Sequence, residues 1–524
     1  MKVRWSVIIT LGIFALILGF LIILENYPNF PDADSFYHAK MATVIRDQGF
    51  IDTFPWFQWT GLKETYINPH WLYHIFLIPF VTVFPPLVGM KVAATFFGLA
   101  AFLALYLMLR AFKVPWPWLF LVAALLSGDW LFRMAMPRAP ALAIVFLFFG
   151  TWAIVKKHPR LLFFLAMFFV WFYHGWPVLV LSLLANSVAQ LIALSLDEPF
   201  SLKKLFKNFI QKTYKISLAT FGGLLAGLII NPYFPQNIYF SFLDIFKIGI
   251  INYQSFLPVG QEWFPAELNN LVLGSTMVII LTVVGLFFFL PALQNLTTKN
   301  LTEKVEQLFT FLLLAGGYFI LTLKSVRYLE YFFPFLVIFT GILWTISQTF
   351  LQTHVWPKIK SRFQHRRCLK WLTTSLLIIF LLAIFQNEFF NLTQGNHDYF
   401  QAEQYTTATD WLKQNLPAGE VVFHNSWDFS PILWYLDDTH YYLAGLDPTF
   451  MYDYNPEIFN LWWNISCGKD SNVTKINSIF HSRVVVIDRR FASAKKFITN
   501  LETSGLFREV ERNEWVSVYA DYSL

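Results

Sequence analysis

Residues 29–57 read NFPDADSFYHAKMATVIRDQGFIDTFPWF, and they follow the first long apolar segment of the chain. Asp32 and Asp34 are two positions apart, and in an extended segment such residues point to the same side. Two carboxylates arranged in this way are suited to hold one divalent cation. The alternative is that Asp34 is the N-cap of the helix that follows and Asp32 is a solvated loop charge.

A helix is predicted from Ser35 to Arg46, because apolar residues recur there at helical spacing. His38 lies one turn beyond Asp34 and on the same helix face. Polar groups therefore gather at one edge of the membrane, and His38 is a candidate for binding substrate.

The composition indicates a membrane protein. Of 524 residues, 56% are hydrophobic and only 14% are charged, which is too apolar for a soluble globular protein. The net charge is +6, but the basic residues lie in short loops between apolar runs. Such a distribution indicates orientation in a bilayer and predicts no nucleic-acid partner.

The apolar runs predict a polytopic α-helical membrane protein with about eleven transmembrane helices. The first is Ser6 to Leu24, entered from a basic cytoplasmic end. Residues 70–83 are short for a span and predict an interfacial or re-entrant helix. The other predicted spans are 91–110, 115–127, 139–155, 161–174, 177–195, 215–231, 268–290, 308–323, 328–347 and 371–388.

The domains and their sides of the membrane follow from this count. Residues 1–390 form the predicted transmembrane domain, with a long first outer loop at 25–90. Residues 391–524 have mixed polar composition with strand-like and helix-like runs, and predict a soluble α/β domain. Basic loops mark the cytoplasmic side, so an odd number of spans places the N-terminus in the cytoplasm and the C-terminal domain outside. The predicted location is the plasma (cell) membrane.

Several further residues are candidates for chemistry. Arg327 opens a long apolar helix and is suited to capture a phosphate, although it could equally pair with Glu330 one turn later. Asp129 and Arg133 lie in a short outer loop, where charges mark a site or simply pair with each other. His174 and Trp176, in a turn between two apolar runs, fit either an interface belt or a substrate contact.

Three outer-loop residues complete the candidate set. Glu262 could supply a third carboxylate to a cation held by Asp32 and Asp34, or be a surface charge. Trp427 and Asp428 follow the first predicted strand of the outer domain. An aromatic face and a carboxylate could bind a sugar or peptide there, or belong to the domain core.

The order of these segments resembles the catalytic subunit of oligosaccharyltransferase and its archaeal and bacterial relatives, in the GT-C glycosyltransferase superfamily. DADSFYHAKMATVIRDQGF and YINPHW are similar to the first-loop motif of that family, and WFYHGWPVLVL is similar to its Trp-Gly-Gly-Tyr turn. LPVGQEWFPAEL falls where the family keeps a loop glutamate. SVRYLEYFFPFLVIFTGI resembles the segment whose Arg contributes to substrate binding, and HNSWDFS resembles the Trp-Trp-Asp-Tyr-Gly region of the external domain.

Two departures from the family pattern are visible. The second acidic motif should fall near residues 136–140, which read Met-Pro-Arg-Ala-Pro and contain no carboxylate. The external motif reads Ser-Trp-Asp-Phe-Ser at residues 426–430, without the first Trp and the Gly.

The resemblance implies transfer of a sugar or oligosaccharide from a polyprenyl (pyro)phosphate donor to a protein or glycan acceptor at the outer face. It implies that Asp34, with Asp32 and Glu262, holds a divalent cation, Mg²⁺ or Mn²⁺. Arg327, with Tyr328 beside it, would bind the phosphate. The first alternative is a transferase that uses a monosaccharide-phosphate lipid. The second is a lipid-linked sugar transporter or non-enzymatic membrane protein, which predicts charges along a midplane path instead of in outer loops.

Overall fold

A computed structural model describes residues 2–197, 202–293, 298–364 and 400–524, with five isolated positions between the last two ranges (375, 376, 383, 386 and 392). The chain divides into two compact units, which are described separately. The first, here called the helical unit, comprises residues 1–26, 94–230 and 264–395. The second, the mixed unit, comprises residues 27–93, 231–263 and 396–524.

Helices account for most of the described chain. Up to residue 197 they are α1 Lys2–Glu25, α2 Asp34–Gln48, α3 Trp71–Val83, α4 Pro86–Ala111, α5 Pro117–Leu125, α6 Gly128–Ala135, α7 Pro140–Val155, α8 Pro159–Phe172 and α9 Val178–Asp197. From residue 202 to residue 364 they are α10 Leu202–Ile229, α11 Gln236–Phe242, α12 Leu268–Gly274, α13 Thr276–Leu293, α14 Thr298–Thr322, α15 Leu329–Phe350 and α16 Trp356–Gln364.

Shorter helical turns and the C-terminal elements complete the described structure. The 3₁₀ turns are Gly61–Lys63, Gln261–Trp263 and Val326–Tyr328, and π-helical segments cover Leu243–Ile251 and Leu351–Val355. The C-terminal helices are α17 Glu403–Asn415, α18 Ser430–Leu436, α19 Pro448–Tyr454, α20 Pro456–Ser466, α21 Thr474–Ser478 and α22 Ala494–Ser504. The strands are β1 Val421–His424, β2 Tyr441–Tyr442, β3 Ser482–Asp488, β4 Phe507–Arg512 and β5 Val516–Asp521.

Five helical stretches of the described chain are long and apolar enough to cross a bilayer, and two bent helix pairs raise the number to seven. The five are Trp5–Glu25, Pro86–Ala111, Val178–Ser195, Thr302–Thr322 and Val326–Ile359. The pairs α5–α6 and α12–α13 bend by 84° and 75°. The multi-pass helical architecture is as predicted. The count of eleven and the outer position of the C-terminal domain stay predictions, and the predicted span at 371–388 falls almost entirely outside the described residues.

Close packing in the helical unit depends on small residues where α10 crosses α8. A Cβ atom added at Gly223 would lie 2.3 Å from the carbonyl oxygen of Phe163, and one at Gly227 would lie 2.6 Å from that of Met167. The Gly227 carbonyl also accepts a hydrogen bond of 2.8 Å from the indole of Trp171. Glycines four residues apart let two helix backbones approach this closely, which is how membrane helices gain packing energy.

The mixed unit contains a five-stranded sheet in the order β2-β1-β3-β5-β4. Strands β2, β1 and β3 are parallel, whereas β5 pairs antiparallel with β3 and β4. The segment that follows α1 joins this sheet, because Phe57 forms a parallel bridge with Tyr442. The sheet and its helices confirm the predicted α/β character of the C-terminal region. The predicted boundary at 390/391 lies outside the described residues.

Helix α3 has thirteen residues, so it is about 20 Å long and shorter than a span requires. It packs on α2 within the mixed unit. Tyr73, His74, Leu77 and Val81 form its buried face. This arrangement agrees with the prediction of a short non-spanning helix at 70–83.

Candidate active site

Asp32, and not Asp34, caps helix α2. The Oδ1 atom of Asp32 accepts hydrogen bonds from the backbone N–H of Ser35 at 2.8 Å and from its hydroxyl at 3.0 Å. Asp34 is the first residue of the helix and is half-buried. The interpretation of Asp34 as the N-cap is therefore wrong, because the oxygen that reaches the first-turn N–H comes from two residues earlier.

The predicted cation ligands do not form a complete protein cage. Among the described residues, no group of three or more His, Cys, Asp or Glu side chains is arranged to hold a metal ion. Glu262 lies in the separate 3₁₀ turn Gln261–Trp263. Mg²⁺, however, is commonly held by one or two carboxylates together with substrate phosphates. A carboxylate pair at the start of α2 fits that second mode and does not fit an all-protein site.

A buried chain of hydrogen bonds connects α2 to α3. The Nδ1 atom of His38 lies 2.8 Å from Nε2 of His74, and Nδ1 of His74 lies 2.9 Å from Oδ1 of Asn68. His38 is 4% exposed and His74 is fully buried. Burial lowers the pKa of His74 to about 3, because an apolar surrounding disfavours the charged imidazolium. Neither His74 nor Asn68 was among the predicted site residues, although both lie in the loop piece YINPHWLYH.

The helical unit holds a second polar cluster, here called the arginine cluster: Trp130, Arg133, Tyr173, His174, Arg327, Glu330 and Tyr331. The guanidinium of Arg327 donates from Nη2 to Nε2 of His174 at 3.0 Å and to the hydroxyl of Tyr173 at 3.3 Å. Two predicted site residues, Arg327 and His174, are thus brought together from positions 153 residues apart. Because a guanidinium only donates, Nε2 of His174 accepts.

Glu330 is the centre of the arginine cluster. Its carboxylate accepts from Nη2 of Arg133 at 3.0 Å and from the Tyr173 hydroxyl at 3.4 Å, while its backbone carbonyl faces the Trp130 indole at 3.3 Å. Its side chain is 1% exposed. The sequence suggested local pairs for Arg133 and Arg327, and it missed the Arg133–Glu330 pair because the partners lie 197 residues apart. The position of the Glu330 carboxylate inside an apolar helix was the one feature of the sequence that indicated a buried ion pair.

The remaining predicted residues have different environments. Trp176 lies half-buried in the turn between α8 and α9, and Tyr328 lies half-buried at the end of its 3₁₀ turn. The indole of Trp427 donates to the Pro258 carbonyl at 2.7 Å and packs against the core of the mixed unit. Asp428 follows the same strand end. Burial raises the pKa of Asp428 to about 6, with the nearby charge of Asp488 acting in the same direction.

A polar network beside Asp428 was not predicted. Asp488, at the end of β3, accepts from Arg490 at 2.6 Å and from the Tyr405 hydroxyl at 2.7 Å. Arg490 also donates to Gln404 at 3.1 Å. Asp428 and Asp488 lie at the carboxyl ends of the neighbouring parallel strands β1 and β3, where open α/β sheets commonly bind ligands, whereas Gln404 and Tyr405 belong to α17.

Comparison with known proteins defines the fold. No protein-family profile and no curated protein sequence matches this chain. Among solved structures, this fold is similar to those of membrane glycosyltransferases of the GT-C class, including an oligosaccharyltransferase and an arabinofuranosyltransferase. The arabinofuranosyltransferase AftD from Mycobacteria matches 99% of this chain over 40% of its own length, at 12% identity and a TM-score of 0.50.

The archaeal oligosaccharyltransferase AglB from Archaeoglobus fulgidus is matched over a larger share of its own chain than AftD is. Its complex with an inhibitory peptide and a dolichol-phosphate matches 93% of this chain and 70% of that chain, at 13% identity and a TM-score of 0.61. The Archaeoglobus fulgidus oligosaccharyltransferase tethered to an acceptor peptide matches 95% of this chain and 72% of its own, at 12% identity and a TM-score of 0.59. The resemblance predicted from the sequence is confirmed for the fold.

Proposed function

We propose that this protein is a membrane glycosyltransferase that transfers a sugar or oligosaccharide from a polyprenyl (pyro)phosphate donor to a protein or glycan acceptor at the outer face. The fold supports this proposal, since it is similar to that of AglB, whose solved complexes contain a dolichol-phosphate or an acceptor peptide. The observation that carries the proposal is the arginine cluster, which offers a fixed cation inside an apolar unit.

The arginine cluster is suited to a phosphate because its cations outnumber its carboxylate. Arg133 and Arg327 contribute two positive charges and Glu330 contributes one negative charge, so these three side chains carry +1. Arg133 pairs with Glu330 at 3.0 Å, and His174 and Tyr173 fix the position of the Arg327 guanidinium through hydrogen bonds. A guanidinium that is fixed in this way binds phosphate without paying to reorganise.

Asp34 has the role of cation ligand in this proposal, with Asp32 and Glu262 as further ligands. Asp34 is the leading ligand, since it takes the place of the Asp in the first-loop motif that this chain resembles. Mg²⁺ or Mn²⁺ held there would neutralise charge on the leaving phosphate. Calorimetric titration of both ions against the wild type and Asp34→Ala tests this role. Binding that is unchanged in the variant would exclude it.

We assign the acceptor and sugar contacts to His38, Trp176, Tyr328, Trp427 and Asp428. Asp428 has an unusually basic carboxyl beside a strand end, which suits it to exchange hydrogen bonds with hydroxyl or amide groups. Trp427 offers only part of its face, because the rest packs on the core. The external motif lacks two family residues, so a glycan acceptor fits this chain as well as a peptide.

A second candidate within the same class is transfer from a monosaccharide-phosphate lipid. The stretch Met136–Pro140 carries no carboxylate, so a second acidic motif does not contribute ligands for a pyrophosphate-bound cation. The likeness to AftD, an arabinofuranosyltransferase, is compatible with this alternative. Donors with one and with two phosphates distinguish the two candidates.

The experiment that tests the proposal uses the purified full chain in lipid nanodiscs. A panel of polyprenyl phosphate and polyprenyl pyrophosphate sugars is incubated with peptide and glycan acceptors, and the acceptor mass is measured. We expect a covalent mass increase whose rate falls by about 100- to 1,000-fold in Arg327→Gln. Arg508→Gln, in the edge strand β4, is the matched control. Movement of intact donor across a vesicle membrane without any acceptor product would instead establish a transporter.

A further inference from the structure

The proton positions in the chain of Asn68, His74 and His38 can be assigned from the hydrogen bonds alone. The side-chain oxygen of Asn68 faces the backbone N–H of His70 at 3.1 Å. A backbone N–H only donates, so the Asn68 atom at this position is the oxygen and not the amide nitrogen. The same oxygen lies 2.9 Å from Nδ1 of His74. Nδ1 of His74 therefore carries a proton.

The tautomer of His38 follows from that of His74. His74 is uncharged at neutral pH because it is fully buried, so its other ring nitrogen, Nε2, is an acceptor. Nδ1 of His38 lies 2.8 Å from that acceptor and must donate to it. In neutral His38, the proton-accepting nitrogen is consequently Nε2. Asn68 thus sets the tautomer of His38 through His74, as the orienting group does in a catalytic triad.

The ring of His38 is also held in place by its neighbours. Its centroid lies 5.2 Å from that of Tyr73 and 5.3 Å from those of His70 and Tyr37, each in an edge-to-face arrangement. His38 stands one helical turn after Asp34 on α2, so the two share a face of that helix. A basic nitrogen of defined tautomer is therefore placed on the same helix face as the leading candidate ligand for the cation.

We propose that His38 is the general base of the transfer reaction and that Asn68 and His74 are its positioning residues. The inference rests on the proposed function. In the transfer step, an acceptor oxygen or nitrogen forms a bond to the anomeric carbon of the sugar. The bond from that carbon to the donor phosphate breaks, and its electron pair leaves with the phosphate. The acceptor proton moves to Nε2 of His38 and then to solvent.

The tautomers are tested directly by ¹⁵N NMR of imidazole-labelled protein in detergent. The spectra of His38→Gln and His74→Gln assign the two signals among the 11 histidines. We expect both rings to be protonated at Nδ1 and unprotonated at Nε2. A proton on Nε2 of His38 in the neutral ring would overturn the proposal.

The catalytic role is tested with matched variants in the transfer assay. Because general bases contribute about 10²–10⁴-fold, His38→Gln should lower kcat by at least about 100-fold with little change in donor KM. His74→Gln can still accept from His38 and donate to Asn68, so it should retain kcat within about threefold, whereas His74→Leu should lose about tenfold or more. Equal loss in the two His74 variants, or near-normal kcat in His38→Gln, would overturn the assignment.

Chemical rescue separates catalysis from folding. His38→Ala should regain transfer on addition of imidazoles, in proportion to their basicity, since added base replaces the missing proton acceptor. Absence of rescue in a variant that elutes and melts like the wild type would contradict the role of base. If the tautomers are as assigned but no donor supports transfer in the wild type, the proposed function fails and the base role fails with it.

Discussion

The two polar clusters use different means to hold a functional side chain. In the arginine cluster, a buried ion pair between Arg133 and Glu330 is connected to Arg327 through the hydroxyl of Tyr173. In the mixed unit, the chain from Asn68 to His38 is made of uncharged groups, and it defines where protons are. An ion pair is needed where a cation must be kept inside an apolar unit. Neutral hydrogen bonds suffice where only a tautomer must be set.

The largest expected effect on stability breaks the charged cluster. Glu330→Ala leaves Arg133 buried without its carboxylate and should lower the free energy of unfolding by about 3–5 kcal/mol. The double variant Arg133→Met with Glu330→Leu should recover most of this loss. Chemical unfolding in bicelles measures both. A single variant that loses less than about 1 kcal/mol would show that the pair is not what holds this cluster.

A smaller effect tests the close crossing of α8 and α10 in the helical unit. Gly227→Leu forces a side chain against the backbone of α8 and should cost about 1–3 kcal/mol. Gly222→Leu is the control in the same helix, because its Cβ would meet only the Phe163 ring, at 3.6 Å. Similar unfolding energies for the two variants would contradict the close helix crossing.

In the mixed unit, Asp428 should give a pH-dependent effect of up to about 3 kcal/mol. Its carboxyl pKa is raised from 3.8 to about 6, so the proton is bound more tightly in the folded chain. The resulting stabilisation is present below pH 3.8 and is lost as the pH rises through about 6. Asp428→Asn should therefore gain stability relative to wild type between pH 4 and pH 7.

Asp470 is the control of opposite sign for this pH series. Its hydrogen bond to Lys475 lowers the pKa of the Asp470 carboxyl, so the stabilisation is present at neutral pH and lost as the pH falls. Asp470→Asn should lose stability relative to wild type over the same rise in pH. If the stability of the two variants relative to wild type changed with pH in the same direction, Asp428 would not bind its proton more tightly in the folded chain.

The smallest expected effect separates the two carboxylates of the first loop. Asp32→Ala removes the cap of α2 and should cost about 1 kcal/mol, whereas Asp34→Ala leaves this cap in place. Amide hydrogen exchange in the first turn of α2 measures the difference. Faster exchange in Asp34→Ala than in Asp32→Ala would reverse the assignment of the cap.

The sequence pattern predicted helices and strands well where a segment is a long apolar run or a short strand-like run. The long apolar runs gave α1, α4 and α14, and the strand-like runs of the C-terminal region gave β1, β3 and β5. The short loop predicted after the span at 115–127 is wrong, because Gly128–Ala135 form helix α6, which bends by 84° from α5. Local patterns report the period of a segment, and they do not report a change of axis within it.

The sequence predicted part of the two polar clusters. Arg327 and His174 were chosen separately for their chemistry, and the structure places them 3.0 Å apart. Glu330, His74 and Asn68 were missed as site residues because their roles depend on partners from other elements. The sequence offered Asp34 as a possible cap of α2, whereas the structure shows that the cap is Asp32. Asp-x-Asp offers two carboxylates, and only geometry shows which oxygen reaches the backbone N–H of Ser35.

The central claim is that the arginine cluster binds the phosphate of a polyprenyl-linked donor. Native mass spectrometry of the full chain with polyprenyl phosphate measures this binding directly, for the wild type, Arg327→Gln, Arg327→Lys and the control Arg508→Gln. We expect binding in the wild type and in the control, at least about tenfold weaker binding in Arg327→Gln, and intermediate binding in Arg327→Lys, which keeps the charge but loses the planar fork. Equal affinity in the wild type and Arg327→Gln would contradict the central claim.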